Sequence, residues 1–450
     1  MSTNSVALFH SAVVLPLIAM FNVAGELRSA DWPQWRGPNQ DGVSLETNWS
    51  CDWGEDGPKR IWECKLGDGH SAVSVVGDRL YTIGTTGESR ETDTVYCLDT
   101  EIGQIVWKHE YARVERLERT ATRRGGTNTT PTVHQDKVYT FSGDAQLFCF
   151  EAATGKVIWN RELMKELDVR HPQYDHNSSP VIVGDLVIVL ARLPDASIIA
   201  FNKDTGKEVW RAFHETRRGA LGGFWSTPVY REIDGKPCLV YLPGLSVVGL
   251  NPATGETQWK YDFTKEKVEM AERGAVAASP VVLGNRVFFP FHPDHNRGFS
   301  ACIEIKDGQP KLLWKSMQLA HWWFSPVLWK GCVIALDQGP ATEGNKAGAL
   351  YCYNMASGEL KWSTYDIGGQ SRDTITKGAK LLIAGGKLIV LNDSGSLMVA
   401  ELDEDGPTLL AKTKVFRRAG RNWTVPVLAG RRLYCRGGRE GDLVCFDVSE

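Results

Sequence analysis

LFCFEAATGKVIW, residues 147–159, is the stretch that decides the fold, because its tryptophan lies four residues after a glycine and its acidic residue four before that glycine. The same spacing ends at Trp107, Trp159, Trp210, Trp259 and Trp362, and a sixth copy, ending at Trp314, carries a two-residue insertion. Successive tryptophans of this series, counted from Trp62, are 45 to 55 residues apart. A period of this length indicates a repeat architecture rather than several unrelated domains.

Each copy predicts four short strands. Most copies begin with a small polar residue and a proline, as in Ser179-Pro180, followed by an apolar strand, a tight turn at Gly184 and a second strand. A variable loop leads to a third strand, and a hairpin containing the repeat glycine leads to a fourth strand with the tryptophan. Glycine supplies the positive φ that such a short hairpin needs. Four antiparallel strands repeated at this period are typical of a β-propeller blade.

The number of first strands predicts the number of blades. They begin near Ser71, Pro131, Pro180, Pro228, Pro280, Pro326, Leu381 and Pro426. The last copy has no tryptophan strand, whereas residues 60–66 contain one that belongs to no copy. We therefore predict an all-β, eight-bladed propeller of four-stranded antiparallel blades, closed by residues 60–66 as the outer strand of the last blade, which removes an exposed edge. Seven blades are the alternative, since the copy near Gly406 is degenerate and lacks its tryptophan.

The repeat also indicates what its tryptophans and cysteines do. We interpret the seven repeat tryptophans as packing between neighbouring blades. Five cysteines share one repeat position, where other copies have Ala200 and Gly249; they are Cys97, Cys149, Cys302, Cys352 and Cys445. A position that accepts Cys, Ala or Gly is a small-residue packing site. Cys51 and Cys64 could form a local disulfide, which the sequence leaves open.

Composition and the N-terminus bear on location. The 450 residues are 42% hydrophobic and carry a net charge of −3, so we expect no nucleic-acid partner. Residues 1–25 are predicted to be a cleaved signal peptide, with a frayed apolar N-terminus as the alternative, because their apolar run is too short to span a bilayer and ends in small residues. We expect an N-terminal segment over 26–57, a propeller over 58–450, no transmembrane segment, a monomer, and a periplasmic or secreted location.

The recurring D/N-x-x-T-G-x-x-x-W hairpin resembles the pyrroloquinoline quinone (PQQ) repeat, and residues 31–38, DWPQWRGP, are similar to the mature start of exported bacterial members. The family contains quinoprotein alcohol dehydrogenases, which bind PQQ and calcium, and cofactor-free scaffolds such as the propeller lipoprotein of the outer-membrane β-barrel assembly machinery. The chain has no Cys-Cys dipeptide and no match to the dehydrogenases' calcium-ligand or catalytic-Asp motifs. The resemblance is therefore greater to the scaffold, and implies no cofactor.

The loops on one rim of the predicted propeller are longer and chemically more varied than the tight turns on the other rim. This is expected where functional residues lie on loops held by a rigid frame. The residues three or four before each blade proline are predicted to ring the channel mouth; they include Asn128, His176, Asn177, Trp225, Trp322, Trp323, Asn422 and Trp423. Aromatic and amide groups in this arrangement can stack a flat ligand and bind its edge, although they could equally plug the channel.

Arginines recur in the same connectors, namely Arg123, Arg124, Arg217, Arg218, Arg273, Arg372 and Arg421. Because arginine pairs bidentately with carboxylates and phosphates, they favour an anionic ligand or an acidic partner segment, with inter-blade ion pairs as the alternative. The segment His292-Pro293-Asp294-His295 has side chains suited to a metal, but we interpret it as an exposed loop and predict no metal site.

Two functions follow from these observations and from the resemblance. The first is a non-enzymatic binding or scaffolding propeller of the bacterial cell envelope that recognises a protein or an anionic small molecule at the rim, without catalytic residues. The alternative is a PQQ- and calcium-dependent quinoprotein dehydrogenase that oxidises alcohols or sugars, with PQQ stacked on Trp225, Trp323 or Trp423.

Overall fold

Eight antiparallel sheets follow one another along the chain in the computed structural model, each with four meandering strands. The structure describes residues 31–54, 56–113, 126–167, 176–191, 193, 195–214, 225–244, 246–266, 278–294, 297–317, 319, 324–336, 349–364, 378–417, 422–437 and 441–449. The sheets are the blades of an eight-bladed β-propeller. Because Lys380–Ala384 begins a complete seventh sheet, the seven-bladed alternative is wrong.

The first four blades are listed from the innermost to the outermost strand. Blade 1 is Ser74–Val76, Arg79–Thr86, Thr92–Asp99 and Ile105–Ala112; blade 2 is Thr132–His134, Lys137–Phe141, Gln146–Glu151 and Val157–Glu162; blade 3 is Val181–Val183, Leu186–Leu190, Ile198–Asn202 and Glu208–Ala212; blade 4 is Val229–Ile233, Lys236–Tyr241, Ser246–Leu250 and Thr257–Asp262. An α-helical turn, Leu163–Glu166, follows blade 2, and a 3₁₀ turn, Phe263–Glu266, follows blade 4.

The last four blades complete the ring. Blade 5 is Val281–Leu283, Arg286–Asp294, Arg297–Lys306 and Gln309–Ser316; blade 6 is Val327–Trp329, Cys332–Leu336, Leu350–Asn354 and Leu360–Ser363; blade 7 is Lys380–Ala384, Lys387–Leu391, Ser396–Leu402 and Pro407–Lys414; blade 8 is Val427–Ala429, Arg432–Arg436, Asp442–Asp447 and Lys59–Lys65. A short strand, Val43–Ser44, adds to blade 7 in parallel. No helix among the described residues is long and apolar enough to cross a membrane.

The closure predicted from the unpaired tryptophan strand is confirmed. Lys59–Lys65 pairs antiparallel with Asp442–Asp447 and places Trp62 opposite Cys445. The first and last parts of the propeller are thereby joined in one sheet, so blade 8 has no free third-strand edge.

The repeat tryptophans pack between blades, as predicted. A Cβ placed on Gly155 of blade 2 would lie 2.5 Å from the Trp107 ring of blade 1, and Gly155 has a φ of +72°. The indole Nε1 of Trp107 also donates to the carbonyl of Ala152 at 2.8 Å, a bond that the sequence did not suggest. The same bond links Trp62 to Thr100, Trp159 to Lys203, Trp210 to Pro252 and Trp314 to Met355. Each of these five tryptophans therefore fixes its blade to the next one.

Two tryptophans lack this carbonyl partner. They are Trp259 and Trp362, whose buried Nε1 atoms make no hydrogen bond to an oxygen. They precede blade 5, whose hairpin has the insertion at Gly308, and blade 7, whose hairpin is degenerate. The two blade-to-blade contacts that lack the indole–carbonyl hydrogen bond are thus the ones made to the two blades whose hairpins depart from the repeat.

The small-residue position lies directly opposite the tryptophan. The register pairs Cys149 with Trp159 and Gly249 with Trp259. A Cβ on Gly249 would lie 2.2 Å from the Trp259 indole, which explains the glycine in that copy. All ten cysteines are free thiols, including Cys51 and Cys64, so the structure contains no disulfide between those two.

Residues 31–50 are an integral part of the propeller rather than a separate leader to it. Trp32 is 2% exposed and exchanges two backbone hydrogen bonds with Val75 of blade 1. Gln40 contacts blade 4, where its Nε2 donates to Pro228 O and its Oε1 accepts from Tyr230 N at 3.0 Å. Further bonds reach blades 2, 6, 7 and 8 through Val133, Pro326, Ile383 and Leu428. We call residues 31–50 the channel plug.

Local conformation makes the plug compact. Arg36, Gly37, Gln40 and Gly42 all have positive φ, which turns the chain back on itself. A Cβ on Gly37 would lie 2.7 Å from the Trp32 ring, so only glycine fits the φ of +81° against that indole. The side chain of Asp31 accepts from Gly77 N in the tight turn of blade 1, which places the start of the plug on the tight-turn side of the channel.

Candidate functional site at the funnel rim

Hydroxyl groups at the start of the inner strands join the blades around the channel. Thr130 N donates to Ser179 Oγ at 2.9 Å, and Ser179 N donates to Thr227 Oγ1 at 3.0 Å. The same contact joins Ser279 N to Ser325 Oγ at 2.9 Å. At these three junctions a hydroxyl-bearing residue before the proline therefore holds neighbouring inner strands together, and positions the residues just before it at the channel mouth.

Three residues predicted for the rim are in contact along one side of the mouth. The side-chain amides of Asn128 and Asn177 are 3.1 Å apart. With its oxygen facing Trp225, the Asn177 amide accepts from Trp225 Nε1 at 3.2 Å and donates to the carbonyl of His176 at 2.9 Å. Asn128, Asn177 and Trp225 are all half-buried. They form a continuous amide and indole surface over blades 2 to 4.

His176 belongs to the support of this surface rather than to its exposed face. Its side chain is buried, and Nδ1 lies 3.1 Å from the carbonyl oxygen of Gly143. The ring packs edge-on against Phe141 with a centroid distance of 5.7 Å. A ligand in the mouth would therefore meet its neighbour Asn177 and not the imidazole.

A second aromatic group lies on the opposite side of the mouth. Trp423 of blade 8 is half-buried, and its ring centroid is 4.6 Å from that of His70. Asn422 is buried and donates to the carbonyl of Asn392 and, through its backbone, to Asp393 Oδ1. Since blades 4 and 8 are opposite one another in a ring of eight, Trp225 and Trp423 lie on opposite sides of the mouth.

The remaining rim predictions lie outside the described residues. They are Trp322, Trp323, Arg123, Arg124, Arg217, Arg218, Arg273, Arg372, Arg421 and His295. The basic rim thus remains a prediction from sequence. Among the residues that the structure does describe, no group of three His, Cys, Asp or Glu side chains is placed to hold a metal ion.

A cavity of ≈ 20 Å³ lies beneath Trp423 and is lined on its floor by Trp35 and Arg36 of the plug. Its wall includes Phe324 and Lys380, and the Lys380 ammonium lies 4.2 Å from the centre of the Phe324 ring. Lys380 also bonds to the carboxylate of Asp393 and the carbonyl of Gly378. Burial lowers the pKa of Lys380 to about 8, against the opposing effect of Asp393.

The sequence alone did not identify Arg36 and Lys380 as residues that line this cavity. Arg36 lies in a segment that has no repeat, and Lys380 begins a blade whose first strand, like that of blade 1, has no proline. The sequence feature that could have indicated it is a lysine at the start of an otherwise apolar strand, KLLIA. A charged group buried in such a strand needs an ion-pair or hydrogen-bond partner.

The tight-turn side of the channel is closed by the plug, whereas the outer edges of the blades are protected in a different way. One residue of every outermost strand falls out of register with the third strand; these are Ile61, Val106, Ile158, Val209, Gln258, Leu313, Lys361 and Leu410. Such β-bulges interrupt the ladder and discourage the addition of another strand. The outer edges of the blades are therefore poorly suited to pairing with a further strand.

The eight blades and their repeat hairpins define an eight-bladed propeller of the PQQ-repeat type. A family model described as "Outer membrane protein assembly factor BamB" matches residues 91–323, just over half of the sequence. The chain belongs to this family.

Individual proteins give the same fold. The outer membrane protein assembly factor BamB of Burkholderia pseudomallei (strain K96243) is 25% identical over 386 residues, which cover 83% of this chain and 84% of that protein. The crystal structure of BamB from Moraxella catarrhalis aligns with a TM-score of 0.62 at 15% identity, over 87% of this chain and 99% of that one. The quinohemoprotein alcohol dehydrogenase of Comamonas testosteroni aligns with a TM-score of 0.68, also at 15% identity, over 94% and 81%.

The cavity beneath Trp423 does not fit a bound quinone. The plug occupies the tight-turn half of the channel, and the cavity of ≈ 20 Å³ above it is too small for a tricyclic ring. The ten thiols are dispersed along the chain, and half of them are buried opposite a repeat tryptophan.

Proposed function

We propose that the protein is a non-enzymatic scaffold of the bacterial cell envelope, and that it takes part in the assembly of outer membrane proteins by binding a protein partner at the funnel mouth. The observation that carries this proposal is the continuous surface of Asn128, Asn177 and Trp225, supported from behind by His176. The name of the relative from Burkholderia pseudomallei supports the envelope role.

The chemistry of this surface suits a protein partner. Half-buried amides offer both donors and acceptors to a peptide backbone, and a fixed indole supplies apolar area at little entropic cost. Tryptophan is enriched among the residues that dominate binding energy at protein interfaces. A cleaved signal over residues 1–25 would deliver the chain to the envelope.

A site-specific photocrosslinker in living cells tests the proposal. Placed at Asn177 or Trp225, it should give discrete adducts with an envelope protein. The matched control position is Asp185, whose side chain is 84% exposed in a tight turn on the other face. Adducts of equal yield from Asp185, or none from the two rim positions, would contradict binding at the mouth.

A further inference from the structure

Arg36 is a buried cation whose hydrogen bonds are made to uncharged groups. It is 3% exposed. Its Nε donates to Gln40 O at 3.1 Å, and its Nη2 donates to the carbonyls of Asp41 at 2.8 Å and Pro326. Among the described residues no carboxylate forms an ion pair with the guanidinium, although Asp41 acts on it electrostatically. Nη1 makes no hydrogen bond within that part of the chain.

The second cation on the same cavity is already balanced. Lys380 is paired with Asp393, and its ammonium lies against the Phe324 ring. Of these two cations, Arg36 is therefore the one that has no carboxylate in an ion pair among the described residues. A buried charge is costly unless it is paired, so the site is complementary to one further anion.

Size and surroundings specify the kind of anion. The cavity of ≈ 20 Å³ admits a small head group, and Trp35 and Trp423 are both among the residues that line it. Trp423 also reaches the mouth, where an apolar body could lie against it. The planar guanidinium matches a carboxylate in geometry as well as in charge.

We propose that this cavity binds the carboxylate of an organic acid, with Arg36 as its ion-pair partner and Trp423 against its apolar body. The carboxylate comes either from a free acid or from the C-terminus or an acidic side chain of the partner, and only the latter source rests on the proposed scaffold function.

The test compares matched probes that differ only in charge. Isothermal titration calorimetry of the intact mature protein, in a buffer free of other carboxylates, should show binding of benzoate and affinity for benzamide that is lower by about 30-fold or more, the loss expected when one member of a buried ion pair is removed. A short peptide with a C-terminal phenylalanine, compared with its C-terminal amide, reports on the second source. A preference for the acid in either pair supports the site, and the pair that shows it identifies the source.

Variants assign the binding to the named residues. Arg36→Gln should abolish the preference for the acid, whereas Arg60→Gln, which removes an arginine from the outer strand of blade 8, should leave it intact. Because Arg36 also holds the plug, Trp423→Ala serves as a second variant that should weaken benzoate by about 10-fold while the protein stays folded. Equal binding of acids and amides, or a preference that survives Arg36→Gln, would overturn the proposal; crosslinking at Asn177 would be unaffected by that result.

Discussion

Trp62 donates a hydrogen bond of 3.0 Å from its indole Nε1 to the carbonyl oxygen of Thr100, and this bond crosses the seam between blade 8 and blade 1. The seam is the place where a strand from the start of the chain completes the last blade. Five blade-to-blade contacts share the bond, whereas those made by Trp259 and Trp362 lack it. Trp259 and Trp362 thus serve as internal controls for the contribution of one indole N–H hydrogen bond to stability.

Trp62→Phe should lower the free energy of unfolding by about 1–2 kcal/mol more than Trp362→Phe, because only the first substitution leaves a buried carbonyl without its donor. Both variants lose the same side-chain volume at the same repeat position. Urea denaturation followed by circular dichroism measures the difference. Equal destabilisation would mean that the indole contributes only by packing.

Gly249→Ala should destabilise the protein by about 1–3 kcal/mol, because its new methyl group would overlap the Trp259 indole. The effect should shrink in a Trp259→Phe background, which a double-mutant cycle detects. Ala200→Cys is the matched control, since it places another residue of the repeat at the same position of blade 3. A loss of stability that is independent of residue 259 would argue against the steric explanation.

Gln40→Ala should cost about 2–3 kcal/mol, because it removes two buried hydrogen bonds between the plug and blade 4. Hydrogen exchange should accelerate at the amide of Tyr230, whose acceptor is lost. The control is the exposed neighbour Asn39, because Asn39→Ala should change neither the free energy of unfolding nor the exchange rate of the Tyr230 amide. Unaltered exchange at Tyr230 would show that the plug does not protect the inner strand.

Lys380 gives stability a defined pH dependence. Burial lowers its pKa from 10.5 to about 8 on folding, so between these values the unfolded chain binds more protons and stability rises with pH. Relative to Lys380→Met, the wild-type protein should gain about 3 kcal/mol from pH 8 to 10.5. Thermal unfolding across this range measures the difference, and Lys412→Met, in the outer strand of the same blade, is the control. A constant difference between wild type and Lys380→Met would contradict the shifted pKa.

The fold could be predicted because the residues that determine it recur at a regular spacing in the sequence. This spacing places Trp107 and the equivalent tryptophans between blades. The last repeat lacks a tryptophan strand, and the strand that contains Trp62 supplies it. The same spacing identified Asn128, Asn177 and Trp225 as neighbours, since each lies three residues before a blade proline.

The rest depended on contacts that no repeat encodes. His176 is in phase with the rim, but the nearby carbonyl of Gly143 draws its ring inward. Arg36 reaches Pro326 across 290 residues, so nothing in its own neighbourhood indicates its place in the channel. Spacing predicts which residues share a position, but not which way a side chain turns or where a non-repeating segment binds.

The contact between Ser44 and Leu428 spans 384 residues and has a consequence for biosynthesis. The plug and the closing strand are synthesised before the last blade, so their binding sites are completed only when that blade has been made. A chain terminated before the last blade is consequently an open ring in which the aromatic residues of the plug lack part of their binding site. Such fragments expose apolar surface and are prone to aggregate or to be degraded. Full burial of the plug and of the closing strand thus requires that the last blade has been synthesised.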